Sequence, residues 1–139
     1  MYERTLSSVV LETNNSFPVL LITGPRQVGK TTLLEMCADK KRNYVTLDDL
    51  DVRSLAQNGP ALFLQTYQPP LIIDEVQYAP QLFSYIKILV DKEKKNGMFW
   101  LTGSQKFHLM HGIQESLAGR VAILDLLGLS RKEIIGHTR

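Results

Sequence analysis

The sequence predicts an α/β fold, in which helices cover both faces of a parallel sheet, and two observations support this class. First, short apolar runs alternate with helix-like segments along the chain. Runs that are apolar throughout are typical of strands covered on both faces, as in parallel sheets. Second, a glycine-bounded loop joins the first run to a helix-like segment, Thr32 to Cys37. The predicted strands are Val19–Thr23, Tyr44–Leu47, Leu71–Ile73, Met98–Leu101 and Val121–Leu126.

Apolar residues at helical spacing predict helices before, between and after these strands. Residues Tyr2 to Glu12 form the first, which we expect to pack on the sheet through Tyr2, Leu6, Val9 and Val10. Asp48 or Asp49 can cap a short helix that runs through Gln57, because aspartate accepts hydrogen bonds from the first free N–H groups. Further helices are predicted over Ala61–Tyr67, Gln81–Lys94, Lys106–Leu117 with a break at Gly112, and Leu129–Ile135 with Ser130 as N-cap.

Length and composition limit the class of protein. A chain of 139 residues, 44% hydrophobic and 22% charged, is one ordinary globular domain. The net charge of +2 does not indicate nucleic acid as a partner. Cys37 is the single cysteine, so an internal disulfide is impossible, which suits a reducing compartment. The chain shows no signal peptide and no apolar run near the ~18 residues of a membrane span. We therefore expect a cytoplasmic protein without a membrane partner.

The glycine-bounded loop matches the P-loop (Walker A) motif G-x-x-x-x-G-K-[ST] in its required setting between a strand and a helix. Glycines let the backbone approach phosphate oxygens without a Cβ clash. Free N–H groups at the start of the helix add a fixed positive potential. The plainer alternative is a glycine-rich turn without a ligand. The residues predicted to bind nucleotide are Gly24, Pro25, Arg26, Gln27, Val28, Gly29, Lys30, Thr31 and Thr32, of which Lys30 reaches the β- and γ-phosphates and Thr31 ligates Mg²⁺.

Two acids follow the third predicted strand, which is the Walker B pattern. Asp74 is expected to hold Mg²⁺, directly or through water. One acid suffices for the metal, so the adjacent Glu75 is free to polarise an attacking water as a general base. A simple polar end of a strand is the alternative, and the P-loop upstream favours the catalytic interpretation.

Two later residues complete the candidate site. The fourth predicted strand runs into Thr102, Gly103 and Ser104, and Ser104 is placed as a sensor of the γ-phosphate if that strand lies between the two motif-bearing strands. Alternatively, Ser104 belongs to a turn that caps the next helix. Arg120 precedes the fifth strand, at the edge opposite the carboxyl ends. It is therefore either an arginine finger, most plausibly acting on a neighbouring copy, or a structural partner of Glu115 or Asp125.

In this order, the P-loop, the segment Leu71 to Gln77, the Thr-Gly-Ser end of the fourth strand and the Leu-Ala-Gly-Arg segment at Leu117 to Arg120 resemble the AAA-type ATP-binding domain of poorly characterised bacterial and archaeal ATPases. The resemblance extends from about Leu6 to Glu133. It implies a three-layer P-loop NTPase fold with five parallel strands in the order 5-1-4-3-2. It also implies the roles given above for Lys30, Thr31, Asp74, Glu75, Ser104 and Arg120.

Relatives of this kind continue beyond the fifth strand with a helical lid and, usually, a C-terminal domain of unknown function. We therefore expect residues 1–139 to be one AAA-type domain that lacks these parts. The leading hypothesis is an ATPase with ATP or ADP and Mg²⁺ as cofactors, acting with a missing C-terminal domain or as a homo-oligomer. One alternative is a nucleotide-binding switch with negligible turnover. Another is a small-molecule kinase, which is weaker because no arginine pattern marks a second substrate.

Overall fold

The structure is a computed structural model that describes residues 2–24, 34, 42–104, 106–125 and 134–136, with the side chains of 2–7, 106–108 and 134–136 left aside. The predictions for the P-loop beyond Gly24, for Cys37 and for Ser130 as a helix cap lie outside the described residues. Leu34 is helical and fully buried, which agrees with a helix after the loop.

The predicted parallel sheet is confirmed. Its strands run in the order β2-β3-β4-β1-β5-β6, and the first five pair in parallel. This is the predicted order read from the other edge. The sixth strand was not predicted: it pairs antiparallel with β5, where the sequence indicated a helix over Leu129–Ile135. The strands are β1 (Val19–Thr23), β2 (Asn43–Thr46), β3 (Leu71–Asp74), β4 (Phe99–Gly103), β5 (Val121–Asp125) and β6 (Ile134–Gly136).

The described helices lie close to their predicted positions, with one difference. The last long helix is continuous through Gly112, so the predicted break there is wrong. Asp49, one of the two candidates, is the N-cap of the second helix and accepts hydrogen bonds from the N–H groups of Asp51 and Val52. The helices are α1 (Tyr2–Asn14), α2 (Leu50–Asn58), α3 (Pro60–Thr66), α4 (Leu82–Glu93) and α5 (Lys106–Ser116), and a short 3₁₀ helix spans Val76–Tyr78.

Alternation along the strands separates two apolar cores, one on each face of the sheet. Val19 and Leu21 of β1 belong to the larger core, which also contains residues of α2, α3, α4 and α5. Leu20 and Ile22 belong to the smaller core with Val10 of α1 and Leu34. The predicted packing of α1 on the sheet is confirmed through Val10. Helices therefore cover both faces, and the ends of the strands are left as the polar edges of the molecule.

Candidate active site

The carboxyl ends of β1, β3 and β4 form one polar edge. β4 lies between β1 and β3, which is the placement expected for a sensor strand. Gly24 follows β1 directly, and its N–H donates to the carbonyl of Gly103 at 3.3 Å. Gly24 has φ 152°, a backbone conformation that a residue with a Cβ rarely adopts. The start of the predicted P-loop is thereby fixed beside the end of β4.

Asp74 ends β3 and is buried among hydroxyl groups. Its Oδ1 accepts a hydrogen bond from Thr102 Oγ1 at 2.6 Å. Its Oδ2 accepts from Thr46 Oγ1 at 3.0 Å and from the Tyr44 hydroxyl at 3.2 Å. Hydrogen bonds to an ionised carboxylate are among the stronger ones in proteins, so this arrangement favours a charged Asp74 with a fixed orientation.

Glu75 is equally buried but is held differently. It adopts a left-handed backbone conformation with φ 60° and ψ 49°, which is uncommon for residues other than glycine. Its N–H donates to Thr102 Oγ1 at 3.0 Å. Its carboxylate Oε1 accepts from Gln77 Nε2 at 2.8 Å and from Ser104 Oγ at 3.3 Å. Strained backbone of this kind is found at functional sites, where the surrounding contacts maintain it.

Three carboxylates meet at this edge. Asp48, Asp74 and Glu75 each offer an oxygen, and these oxygens lie within 4.8 Å of one another. Asp74 and Glu75 are buried, whereas Asp48 is exposed and its N–H is tied to Thr46 Oγ1 at 3.2 Å. Oxygen ligands suit hard cations such as Mg²⁺, so the donor set fits the predicted metal. Lys30 and Thr31, which would complete the site, lie outside the described residues.

Arg120 lies at the opposite edge of the sheet. Its carbonyl accepts the N–H of Val19, the first residue of β1, at 3.2 Å. Its guanidinium makes a two-pronged contact with Asp91 of α4, with Nε–Oδ1 at 2.7 Å and Nη2–Oδ2 at 3.0 Å. This hydrogen bond lowers the pKa of Asp91 and raises the pKa of Arg120. Asp91 therefore replaces Glu115 and Asp125, the two partners that the sequence had suggested.

The sequence placed Asp74, Glu75 and Ser104 correctly at one edge but missed the residues that hold them. Thr102 bridges Asp74 and the backbone of Glu75, and it could have been found because it shares a strand face with Ser104. Thr46 and Tyr44 come from a neighbouring strand and carry no local signal. Gln77 ends the segment Leu71 to Gln77 that carries part of the family resemblance, but the sequence indicates no role for it.

The sheet order, the glycine after β1 and the buried acids at the end of β3 define a P-loop ATPase fold. The chain belongs to the AAA domain family, whose match covers residues 16–135. It resembles the Walker-type ATPase PABY2304 of Pyrococcus abyssi, with a TM-score of 0.60 and 17% identity, over 86% of this chain and 52% of that one. It also resembles a DNA replication initiation factor, with a TM-score of 0.53 and 14% identity, over 92% and 46% of the two chains. At these identities the likeness concerns the fold.

Two sequence relatives have a higher sequence identity than these structures, but they are longer than this chain. The chain is 38% identical over 120 residues to the uncharacterized proteins Mb2031c of Mycobacterium bovis and Rv2008c of Mycobacterium tuberculosis. The match covers 84% of this chain but only 26% of each relative, so the chain spans about a quarter of their length. Family and fold together support nucleotide binding and hydrolysis as the general class of activity. Within the described residues, no helix is long and apolar enough to cross a membrane.

Proposed function

We propose that this domain binds ATP with Mg²⁺ and hydrolyses it to ADP and phosphate, and that turnover drives or gates a partner domain. The observation that carries this proposal is the buried pair Asp74 and Glu75 at the end of β3. The Asp74 carboxylate accepts hydrogen bonds from three hydroxyl groups, whereas Glu75 adopts a left-handed backbone conformation. Adjacent acids with such different surroundings are suited to different roles.

The proposed roles divide into two groups: residues that bind the nucleotide and the metal, and the residue that activates the water. Lys30 and the loop from Gly24 to Thr32 bind the phosphates, and Thr31 and Asp74 hold Mg²⁺. When bound, the ion neutralises charge that develops on the phosphoryl oxygens. Ser104, directly after β4, donates a hydrogen bond from its hydroxyl to the γ-phosphate. These contacts orient the nucleotide and stabilise charge, which supply most of the catalysis in phosphoryl transfer.

Glu75 acts on the water. Its carboxylate accepts a proton from the attacking water at an oxygen held close to the ends of β3 and β4. Burial of this residue excludes competing bulk water, and the hydrogen bonds from Gln77 and Ser104 fix the carboxylate in one place. General base catalysis by a positioned carboxylate contributes ~10²–10⁴-fold in rate.

The second candidate is a nucleotide-binding switch with negligible turnover. The same two hydrogen bonds favour it, because both occupy Oε1 of the carboxylate that would otherwise receive the proton of the attacking water. Under this alternative, the bound nucleotide changes the conformation of the domain, and the remainder of a longer protein responds. The length of the relatives is compatible with such a remainder, since the chain matches 26% of each.

One experiment separates the two. ATP turnover is measured without any added acceptor for the parent chain and for Glu75→Gln, with affinity measured by calorimetry. Glu75→Gln keeps the shape and removes basicity, so affinity should be retained while turnover falls by ~10²–10⁴. Glu115→Gln is the matched control, because that side chain is 69% exposed and lies on α5. Negligible turnover in both the parent chain and Glu75→Gln, with ATP affinity retained, supports the switch.

A further inference from the structure

Gln77 stands between the two residues assigned to water and phosphate. Its Nε2 donates to Glu75 Oε1 at 2.8 Å and to Ser104 Oγ at 3.3 Å. A side-chain NH₂ has two hydrogens, so both contacts can exist at once. The direction of the amide is set by Glu75, since the reverse orientation would place Gln77 Oε1 against a carboxylate.

The oxygen of the same amide makes no comparable hydrogen bond within the described residues. Gln77 Oε1 is buried, and within the described residues it has no hydrogen-bond partner. It lies against the backbone of Gly103, where an added Cβ would be 3.1 Å from this oxygen. Burying an acceptor without a partner is unfavourable. The amide is therefore held in place for what its NH₂ group does.

Ser104 has one hydroxyl proton, and this limits what it can do. In the structure that proton is directed to Glu75 Oε1 at 3.3 Å. A Ser104 that donates to a phosphate oxygen can no longer donate to Glu75. Gln77 can keep its hydrogen bond to Glu75 through this change, and its second N–H continues to occupy a lone pair of Ser104. The serine proton is thus left for the phosphate.

We propose that Gln77 is a positioning residue that holds the Glu75 carboxylate in place when the Ser104 hydroxyl turns from Glu75 to the phosphate. The proposal rests on the proposed ATPase function. Nucleotide binding should depend little on Gln77, because its hydrogen bonds among the described residues go to Glu75 and Ser104. Turnover should depend on it strongly, because displacing a catalytic group by about 1 Å can cost ~10²-fold in rate.

The first test compares Gln77→Met with Gln57→Met. Methionine is similar in length and lacks the donor. Gln57 is a matched control, because its Nε2 donates to the Tyr78 carbonyl at 2.7 Å and so touches the same 3₁₀ helix without touching Glu75. Gln77→Met should lower kcat by about ten- to a hundredfold while the affinity for ATP and KM change by less than about threefold. Gln57→Met should stay near the parent values. An equal loss in both variants, or no loss in either, overturns the proposal.

A double-mutant cycle makes the role specific. In a Glu75→Gln background, Gln77→Met should reduce turnover little further, because the group that it positions is already inactive. Independent, multiplicative losses would show that Gln77 acts on something else.

The second test does not use activity. In the nucleotide-free protein, the side-chain amide signal of Gln77, assigned by its absence in Gln77→Met, should exchange with solvent more slowly than that of Gln57. Glu75→Ala should shift one of its two protons, and Ser104→Ala the other. If this pattern is present but the parent chain hydrolyses no ATP, the proposed function fails and the contact stands. If turnover is present without the pattern, the role of Gln77 is overturned.

Discussion

Thr102 shows how much one side chain contributes at this site. A single hydroxyl donates to Asp74 Oδ1 at 2.6 Å and accepts the N–H of Glu75 at 3.0 Å. Thr102 is fully buried, so neither contact can be replaced by water. The two acids have different proposed roles, yet their relative placement depends on this one group. It is the residue at which the fold and the candidate chemistry are most directly connected.

Thr102→Val removes the hydroxyl and keeps the shape. The variant leaves the Glu75 N–H without this acceptor and removes a charge-assisted bond to Asp74, so the free energy of unfolding should fall by about 2 kcal/mol or more. Urea unfolding measures it. Thr66→Val is the control, because its hydroxyl donates to the Leu62 carbonyl at 2.9 Å from an exposed position, and surface changes usually stay within ~0.5 kcal/mol. Equal losses would contradict a special role for Thr102.

Asp91 gives a prediction about pH. Its hydrogen bond with Arg120 lowers its pKa in the folded state below the ordinary value of an aspartate. A lowered pKa means that the contribution to stability is present at neutral pH and is lost as pH falls through the folded pKa. The difference in unfolding midpoint between the parent chain and Asp91→Asn should therefore be small but present at neutral pH and should shrink as the pH falls below the ordinary pKa of an aspartate. It should also shrink in high salt, because the pair is partly exposed. A difference independent of pH would show that the charge does not matter.

The acids themselves could be predicted from sequence, but their partners could not. Asp74 and Glu75 follow an apolar run, and such a pattern is local. Thr46 reaches Asp74 only because β2 pairs with β3 in a register that sets these two residues opposite each other. Nothing within a strand specifies its neighbour. The partner of Arg120 was sought among nearby acids, whereas Asp91 lies 29 residues away on another helix.

At the scale of elements, α5 is a continuous helix although Gly112 in its interior disfavours helix formation. Glycine in a helix interior costs about 1 kcal/mol relative to alanine, and for this reason a break was predicted at Gly112. The structure shows the compensating contact. A Cβ at this position would lie 2.9 Å from two ring carbons of Phe83, a buried residue of α4. Glycine therefore allows α4 and α5 to pack closely, and this packing overrides propensity.

Gly112→Ala tests that explanation, because propensity and packing predict opposite signs. Overpacking typically costs ~1–3 kcal/mol, which outweighs the gain of up to about 1 kcal/mol in helix propensity. The free energy of unfolding should therefore fall by about 1 kcal/mol. In a Phe83→Leu background the added methyl has room, so the same change should become neutral or stabilising. Thermal or urea unfolding of the four proteins measures this, and a stabilising effect in the parent background would exclude the packing explanation.

The helix predicted through Ile135 is also wrong at its end, because a strand elsewhere in the chain determines the structure there. Ser130 followed three residues later by Glu133 is a capping-box pattern and predicted a helix through Ile135. Ile134–Gly136 instead pairs antiparallel with β5, with Ile135 opposite Ile123. A short segment with adjacent isoleucines is compatible with either structure, and the free edge of β5 decides between them. The partner strand, which lies outside the local window, supplies that information.

At the scale of the whole molecule, the two buried acids and Arg120 lie at opposite ends of the strands. Gly24, Asp74 and Glu75 lie at the carboxyl ends of the strands, and Arg120 lies beside the first residue of β1. Five residues of strand span about 16 Å. Arg120 therefore cannot reach, across the sheet, the edge of its own chain that carries Asp74 and Glu75. Any catalytic role for it requires a second copy, whose site would have to face the edge that carries Asp91 and Arg120.

Mixing two inactive variants tests a role for Arg120 in trans. Lys30→Ala removes a phosphate contact worth ~1.5–3 kcal/mol and should weaken ATP binding at least tenfold. Arg120→Ala leaves the site intact and removes the finger, which is worth ~10³–10⁵ in rate where one operates. If Arg120 acts as a finger in trans, each variant alone should be nearly inactive, and an isolated monomer should be very slow. A mixed oligomer should regain turnover, because one chain supplies the site and the other the arginine.

The ion pair with Asp91 adds a control to this experiment. An arginine that acts on a neighbour must leave Asp91, so Asp91→Asn should raise turnover in the assembled protein, although it slightly lowers stability. If Arg120 is only structural, Asp91→Asn and Arg120→Ala should lower stability by similar amounts, and neither should change turnover per folded chain. Failure of rescue in a mixture shown to co-assemble removes the finger, and the two-pronged contact with Asp91 then accounts for the arginine by tying the start of β5 to α4.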